Sequence, residues 1–533
     1  MASKRRTHLC SRIRHHGRVG RICPNARAAR RARGLEIDAE ALTLIVAIAH
    51  RLGPVAPAQF NRQVQRFGLA AAFFGFGQGA LGGRWQILAV GHGSFPCYTL
   101  DQTNLGKRQA LDKSRGKMVR DGARSGALRL LGAVEAGATL DEAAAQVERL
   151  PPAERARARR LALEVLRRMD RADQLLAPML ARPPRPEIMR ILRLATIEML
   201  ALAEAPHGAV NAAVALARAM GPKGQAAAGM VNAVLRKVAG AGQVWAGLSP
   251  QKMPSWLRGP VVDAWGEDAA RAIEAAHEAG APLDLTPKGA DCPGEALPTG
   301  SHRMSVGTQV SALPGYASGD WWVQDAAAAL AVRVLDPRPG ERIADLCAAP
   351  GGKTLQLSAA GAEVTALDIS EPRLARVAEN LARCGLSARL VAADALEWRP
   401  EAPLDAVLLD APCSATGTIR RHPELPRIRD DSALAELTDL QARLLDHALT
   451  LLKPGGRLVY ATCSLLCAEG EDQLAALLVR HPGLMVESPE APGIEPGWIT
   501  PQGGLRLRPD LWPERGGMDG FFIARLRKSA DQT

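Results

Sequence analysis

At 533 residues the chain is too long for one ordinary domain, and length alone suggests about three. Hydrophobic residues make up 47% and charged residues 23%, which excludes a disordered, collagenous or membrane-embedded protein. The formal charge of +12 points to a polyanionic partner such as nucleic acid, but residues 1–117 alone carry +15 and the remainder −3. Six of the eight Phe also fall in that first segment, so two compositions meet near Met118.

Met1 to Gly34 is an Arg/His-rich arm. It reads as an RNA-binding or targeting tail, or as a disordered extension or a start placed too far upstream. Gly- and Phe-rich stretches without a sustained helical or strand period follow. Residues 1–117 are therefore expected to be a basic extension, with the working protein beginning near Met118. Leu42 to Ala49 is only eight residues, and Phe67 to Gly83 is Gly-rich and falls short of the roughly 20 apolar residues of a span, so no membrane partner is expected. Nine scattered cysteines without a C-x-x-C pair imply neither a disulfide framework nor a metal site, and a reducing cytoplasm.

From residue 118 to about 240, helical spacing takes over. Ala127, Leu128, Leu130, Leu131 and Val134 share one period, as do Leu161, Leu163, Val165, Leu166 and Met169, and Ile188, Ile191, Leu192 and Leu194. Pro151–Pro152 and Pro183, Pro184 and Pro186 punctuate them, predicting an all-α bundle of about six helices. Eleven Arg against five acids between Glu154 and Arg193 make this region locally basic. Pro206 to Asn211 and Gly229 to Arg236 resemble the helical RNA-binding domain of the NusB antitermination family. That resemblance implies contact of Arg side chains with RNA phosphates.

Gly240-Ala241-Gly242 opens a linking segment, 241–318, expected to be a small α+β connector. Trp256, Trp265 and Ile273 are candidate core anchors there, and Pro282 to Leu285 is strand-like.

Over 319–528 apolar strands alternate with helices: Arg342–Leu346, Val364–Asp368, Leu390–Ala392, Ala406–Asp410 and Leu458–Thr462. Alternation of this kind predicts an α/β doubly wound, Rossmann-like sheet with ligands at the carboxyl ends of its strands. The first turn reads Cys347-Ala348-Ala349-Pro350-Gly351-Gly352-Lys353, small residues that let a ligand approach the backbone at a helix start. It is neither a P-loop nor G-x-G-x-x-G. Asp368 ends the second strand, where a carboxylate accepts ribose hydroxyls, and Asp394 follows the third, near where an adenine would lie. That combination indicates S-adenosylmethionine.

Asp410-Ala411-Pro412-Cys413 and Thr462-Cys463-Ser464 each place a cysteine just after a strand. Two thiols beside a methyl donor suit carbon 5 of cytosine, a poor nucleophile until a thiolate adds to carbon 6. A proton must then leave carbon 5 and the thiol must depart, which gives a second acid/base group a task. Asp410 is placed to donate to the ring N3. Cys292, Cys384 and Cys467 are expected to be small buried hydrophobes, and Cys347 a backbone contributor.

Trp322-Val323-Gln324-Asp325, the CAAPGGKT turn, DAPCSATG running into Thr418 to Glu424, and TCS followed by Glu469-Gly470-Glu471 resemble Sun/Nop-type (RsmB-like) RNA cytosine-5 methyltransferases. The likeness covers 118–528. It implies a class I S-adenosylmethionine-dependent methyltransferase domain, RNA as partner (16S rRNA before tRNA), Cys463 as nucleophile and Cys413 as the group that resolves the adduct. It further implies that Cys347 to Lys353, Asp368, Asp394 and Asp410 line the cofactor site, and a monomer is expected. Two other readings stay open: a DNA cytosine-5 methyltransferase, whose nucleophile is the Pro-Cys cysteine, and a non-catalytic RNA-binding or ribosome-assembly factor. Arg420, Arg421, Arg427 and Arg429 are expected to hold the backbone of a flipped nucleotide.

Overall fold

Proline at the first helical position starts four of the six long helices of the amino-terminal bundle; its missing N–H costs nothing there and its φ is already helical. The computed structural model describes residues 122–289, 291–305 and 310–530, and the backbone of three strands before them. Those strands, β1 (Phe73–Gly75), β2 (Arg84–Val90) and β3 (Cys97–Asp101), form an antiparallel sheet of their own. The alternation Trp85, Ile87, Ala89 within β2 is a strand period, though not a sustained one. The Arg/His-rich arm, Met1 to Gly34, lies outside the described residues, as does Met118.

The bundle comprises α1 (Gly122–Glu135), α2 (Pro152–Arg167), α3 (Met169–Leu176), α4 (Pro186–Leu200), α5 (Pro206–Ala219) and α6 (Pro222–Ala239). The periodic residues form its core: Ala127, Leu130, Leu131, Leu161, Val165, Leu166, Ile191 and Leu192 are all at most 2% exposed. Its arginines are less free than the sequence suggests. Seven of the eleven pair with acids, among them Arg159 with Asp141 at 2.6 Å, Arg193 with Asp173 at 2.7 Å and Arg171 with Glu278 at 2.5 Å. Arg155, Arg160, Arg182 and Arg185 are exposed and enter no ion pair among the described residues.

The connector holds α7 (Gly242–Gly247), the long α8 (Ser255–Ala279), interrupted at Gly266, and an antiparallel sheet of β4 (Leu283–Pro287), β5 (Glu295–Ala296), β6 (His302–Met304) and β7 (Trp321–Val323). The boundary expected at 319 cuts this sheet, because β7 pairs with β4.

The α/β domain runs α9 (Ala326–Leu335), β8 (Arg342–Leu346), α10 (Gly352–Ala359), β9 (Glu363–Asp368), α11 (Glu371–Cys384), β10 (Arg389–Ala392), β11 (Leu404–Asp410), α12 (Leu425–Ile428), α13 (Leu434–Leu451), β12 (Leu452–Thr462), α14 (Glu471–Arg480), β13 (Met485–Glu487), β14 (Leu505–Leu507) and β15 (Phe521–Arg527). The strand order is β10-β9-β8-β11-β12-β15-β13, with β14 also pairing β15. Pairs from β10 to β12 are parallel and those to β15 antiparallel. Parallel strands must be covered on both faces. One face packs Leu330, Val334, Ile343, Leu408 and Val459 with Ile523; the other packs Leu346, Val407, Leu409 and Tyr460 with Leu444, Leu445 and Leu477. The order reverses on either side of β8, so the switch point, where such sheets bind ligands, lies at the carboxyl ends of β8, β9 and β11.

Candidate active site

Five strands deliver the site. β8 leads into Cys347 and the turn to α10, and both Cys347 (φ 63°) and Gly351 (φ 102°) hold left-handed backbone. A Cβ on Gly351 would stand 2.9 Å from Val377 Cγ1, so this position takes glycine for space as well as for conformation. Burial pushes the Cys347 thiol up to about 12, so it keeps its proton.

Asp368 closes β9 and is 3% exposed. Its oxygens accept from the Ala349 N–H at 3.2 Å and the Ser370 N–H at 3.0 Å, so the carboxylate faces the turn with lone pairs to spare. Ile369, next to it, is 75% exposed, a bare apolar side chain suited to an aromatic ring face. The order of residues in the sequence gives no sign of it. Asp394 lies two residues beyond β10, exposed, and accepts from its own turn at Leu396 N–H, 2.9 Å. Together the small turn, the ribose-type carboxylate and the uncovered apolar side chain fit an adenosine carrying a charged tail at the start of α10.

Beneath the turn, Asp345 is fully buried and Thr354 donates to it at 2.6 Å. Burial pushes its carboxyl up to about 7, against the Thr354 bond and the Lys353 charge. A raised folded-state value means the folded chain holds a proton that the unfolded chain has lost. Asp345 therefore costs stability progressively as pH rises from the ordinary carboxyl range through about 7. Asp345→Asn is expected to lose less stability than the parent between about pH 5 and about pH 8 in urea melts; equal losses would contradict this.

Asp410 ends β11 and accepts from Lys353 Nζ at 2.7 Å. Burial opposes the Lys353 charge, but Asp410 outweighs it and the net shift is upward. The proton in this pair therefore rides on lysine. Held in this way, the Asp410 carboxylate orients the Lys353 ammonium.

Cys413 Sγ and Cys463 Sγ stand 3.5 Å apart. The hydrogen bond to Cys463 and burial push the Cys413 thiol well above its ordinary value, so Cys413 keeps its proton. Glu469, fully buried, clamps the two loops. It accepts from Ser414 N–H at 2.8 Å, Ser414 Oγ at 2.5 Å, Ser464 Oγ at 2.5 Å and Gln441 Nε2 at 3.1 Å. Glycine at 417 permits the closest approach, because a Cβ there would meet the Gly520 carbonyl at 2.0 Å. Behind the loops, α8 supplies Leu257, Val261 and Ile273 against Ile419, Leu465 and Leu466, which gives the connector a supporting part. Cys384 is buried as expected, whereas Cys292, on a loop, and Cys467, at the start of a single helical turn (Cys467–Glu469), are partly exposed.

The arginines of the basic loop after Cys413 are all engaged within the chain. Arg420 is fully buried, donating to Asp519 at 2.8 Å, to the Gly516 carbonyl at 3.0 Å and to Asp325. Arg421 donates to Asp519, Arg427 to Asp170 of α3 at 2.6 Å, and Arg429 to the Ser414 carbonyl at 2.8 Å. Each meets an acid or a carbonyl of the chain itself, so these residues fix the loop and dock it on the bundle.

Residues 332–527 match the family model described as 16S rRNA methyltransferase RsmB/F, and residues 121–240 match the NusB family. The chain is 46% identical over 231 residues to the ribosomal RNA small subunit methyltransferase B of Klebsiella pneumoniae (strain 342) and to that of Salmonella typhi. The match covers 42% of this chain and 51% of each relative, so the chain spans about half the length of the curated relatives it matches. The crystal structure of PH0851 superposes with a TM-score of 0.57 at 23% identity, covering 76% of this chain and 98% of that one, which shows a shared fold.

Proposed function

Because residues 332–527 match the model of the 16S rRNA methyltransferase RsmB/F family and residues 121–240 that of the NusB family, we propose that the chain methylates carbon 5 of a cytosine in RNA, 16S rRNA first, with S-adenosylmethionine. The observation that carries the reading is the pair of sulfurs 3.5 Å apart at the ends of adjacent strands, beside the Lys353–Asp410 pair. S-adenosylmethionine bound at the turn supplies an electrophilic methyl group. Cys347 to Lys353 and Asp368 hold its adenosine and tail, with Asp394 at the adenine end.

Cys463 adds as thiolate to carbon 6, and Cys413, which keeps its proton, is the neutral partner. The Lys353 ammonium, oriented by Asp410, donates to the ring as negative charge develops there. After transfer a base must take the carbon 5 proton as the carbon–sulfur bond breaks and Cys463 leaves as thiolate; Cys413, whose sulfur stands 3.5 Å from that of Cys463, takes it once its own proton has passed to solvent. The bundle would meet RNA phosphates through Arg155, Arg160, Arg182 and Arg185 rather than through its paired arginines. A monomer working in the cytoplasm suits this reading; among the described residues no helix is long and apolar enough to cross a membrane.

The test is incubation of the purified full chain with 16S rRNA and S-adenosylmethionine, followed by nucleoside mass spectrometry. New 5-methylcytidine is the expected product. Methylation at nitrogen or ribose, or none, would overturn the assignment.

A further inference from the structure

At the end of α10 opposite Gly352, a cavity of about 460 Å³ opens between the connector sheet and the catalytic domain. Thr286 and Trp322 line it from the sheet, Arg333 from α9, Gln356 and Ala360 at the end of α10, and Pro492 from the loop after β13. Arg333 is anomalous among the arginines. Its Nη1 is buried without a hydrogen-bond partner, and no carboxylate of the described residues comes within ion-pair distance of it. Two acids also line the cavity, but Asp336 is engaged by Arg338 at 2.5 Å and Glu490 is exposed. Burial pulls the Arg333 guanidinium down to about 10, as expected of a cation that has lost water and gained no anion.

The surroundings offer more unmet donors. Thr286 Oγ1, Thr299 Oγ1 and Ser301 Oγ are buried without partners. Leu285 pairs with His302 across β4 and β6, which brings Thr286 and Ser301 to the same end of that ladder. Gly300, at φ 80°, lies flat on the guanidinium; a Cβ there would stand 3.3 Å from Nη2.

Buried charges are ordinarily paired, and a guanidinium fork matches an oxyanion with two parallel bonds. We propose that this cavity binds a phosphate group, held by the Arg333 guanidinium. The room beside Trp322 suits a phosphate carried on a larger body, either an RNA backbone or a free nucleotide. Its wall is joined to the cofactor turn. Trp322 Nε1 donates to Gln324 at 2.8 Å, Gln324 donates to Gln356 at 2.7 Å, and the Gln324 side chain lies 3.3 Å from where a Gly352 Cβ would be. The site does not rest on the methyl-transfer reading, because its readout is anion binding.

The test is calorimetric titration of the full chain with inorganic phosphate in phosphate-free buffer, for the parent, Arg333→Met and Arg333→Lys. The parent is expected to bind, Arg333→Met to bind at least roughly tenfold more weakly, and Arg333→Lys to fall between, since lysine keeps the charge without the fork. Thermal unfolding without phosphate should be unchanged or improved in Arg333→Met, because an unpaired buried charge is gone. If the natural phosphate belongs to RNA, Arg333→Met also weakens oligonucleotide binding and lowers its salt slope by about 0.7–0.9; if it is free, RNA affinity is unchanged. No binding by the parent, or equal binding by Arg333→Met, would overturn the proposal.

Discussion

Arg420→Met is expected to lower the free energy of unfolding by about 3–5 kcal/mol. Arg420 is wholly buried and meets two buried carboxylates, Asp325 and Asp519. Burial works against the charge on Asp325, yet Arg420 and Arg421 outweigh it and hold the carboxyl down at about 2. Remove the guanidinium and Asp325 keeps only backbone donors, from Ala327 and Asp519, while Asp519 retains Arg421. An uncompensated buried carboxylate is the costly outcome, so Asp325→Asn in the same chain should recover part of the loss. Urea denaturation midpoints measure both. A loss below about 1 kcal/mol for Arg420→Met would mean that the cluster is a set of weak surface pairs, contrary to its burial.

Cys463→Ala is expected to reduce single-turnover methyl transfer to RNA by on the order of 10⁴-fold or more, the scale on which loss of a nucleophile acts in other enzymes. Carbon 5 of cytosine gains nucleophilic character only while sulfur is bonded to carbon 6. The substitution removes one small, partly exposed side chain packed at the edge of the sheet core, so RNA affinity should stay within about twofold. Residual turnover within about tenfold of the parent would show that Cys463 is not the attacking group.

The parts of the site carried on strand ends were legible in the sequence because local pattern determines them. Arg342–Leu346 and Ala406–Asp410 are apolar runs that stop at the residues facing the cleft, and the cysteines follow their strands directly. What depended on distant partners was not legible. Arg420 and Arg421 follow the Pro-Cys loop as RNA-binding arginines would, but their acids lie 95 to 99 residues away in either direction. The strand Phe521–Arg527 ends in alternating arginines like an exposed edge, yet it sits inside the sheet. Arg525 and Arg527 both reach Glu487 on β13, a pairing visible only once the strand order is known. Glu469 reads as one acid of a short motif, and only the meeting of the two cysteine loops reveals it as their common acceptor. Most bundle arginines follow the same rule: Arg167 and Arg168 meet Glu164 close by in sequence, but the acids that neutralise Arg171, Arg190 and Arg193 come from other helices or from the connector.

The central claim is the division of labour between the two cysteines, and the covalent adduct reads it directly. Each variant is incubated with substrate RNA and S-adenosylmethionine, denatured, and run on a gel that resolves protein–RNA conjugates. Cys413→Ala should accumulate a conjugate that survives denaturation, because the thioether forms and is not released. Cys463→Ala should form none. A conjugate in Cys463→Ala and none in Cys413→Ala would contradict the assignment and move the nucleophile to the Pro-Cys loop.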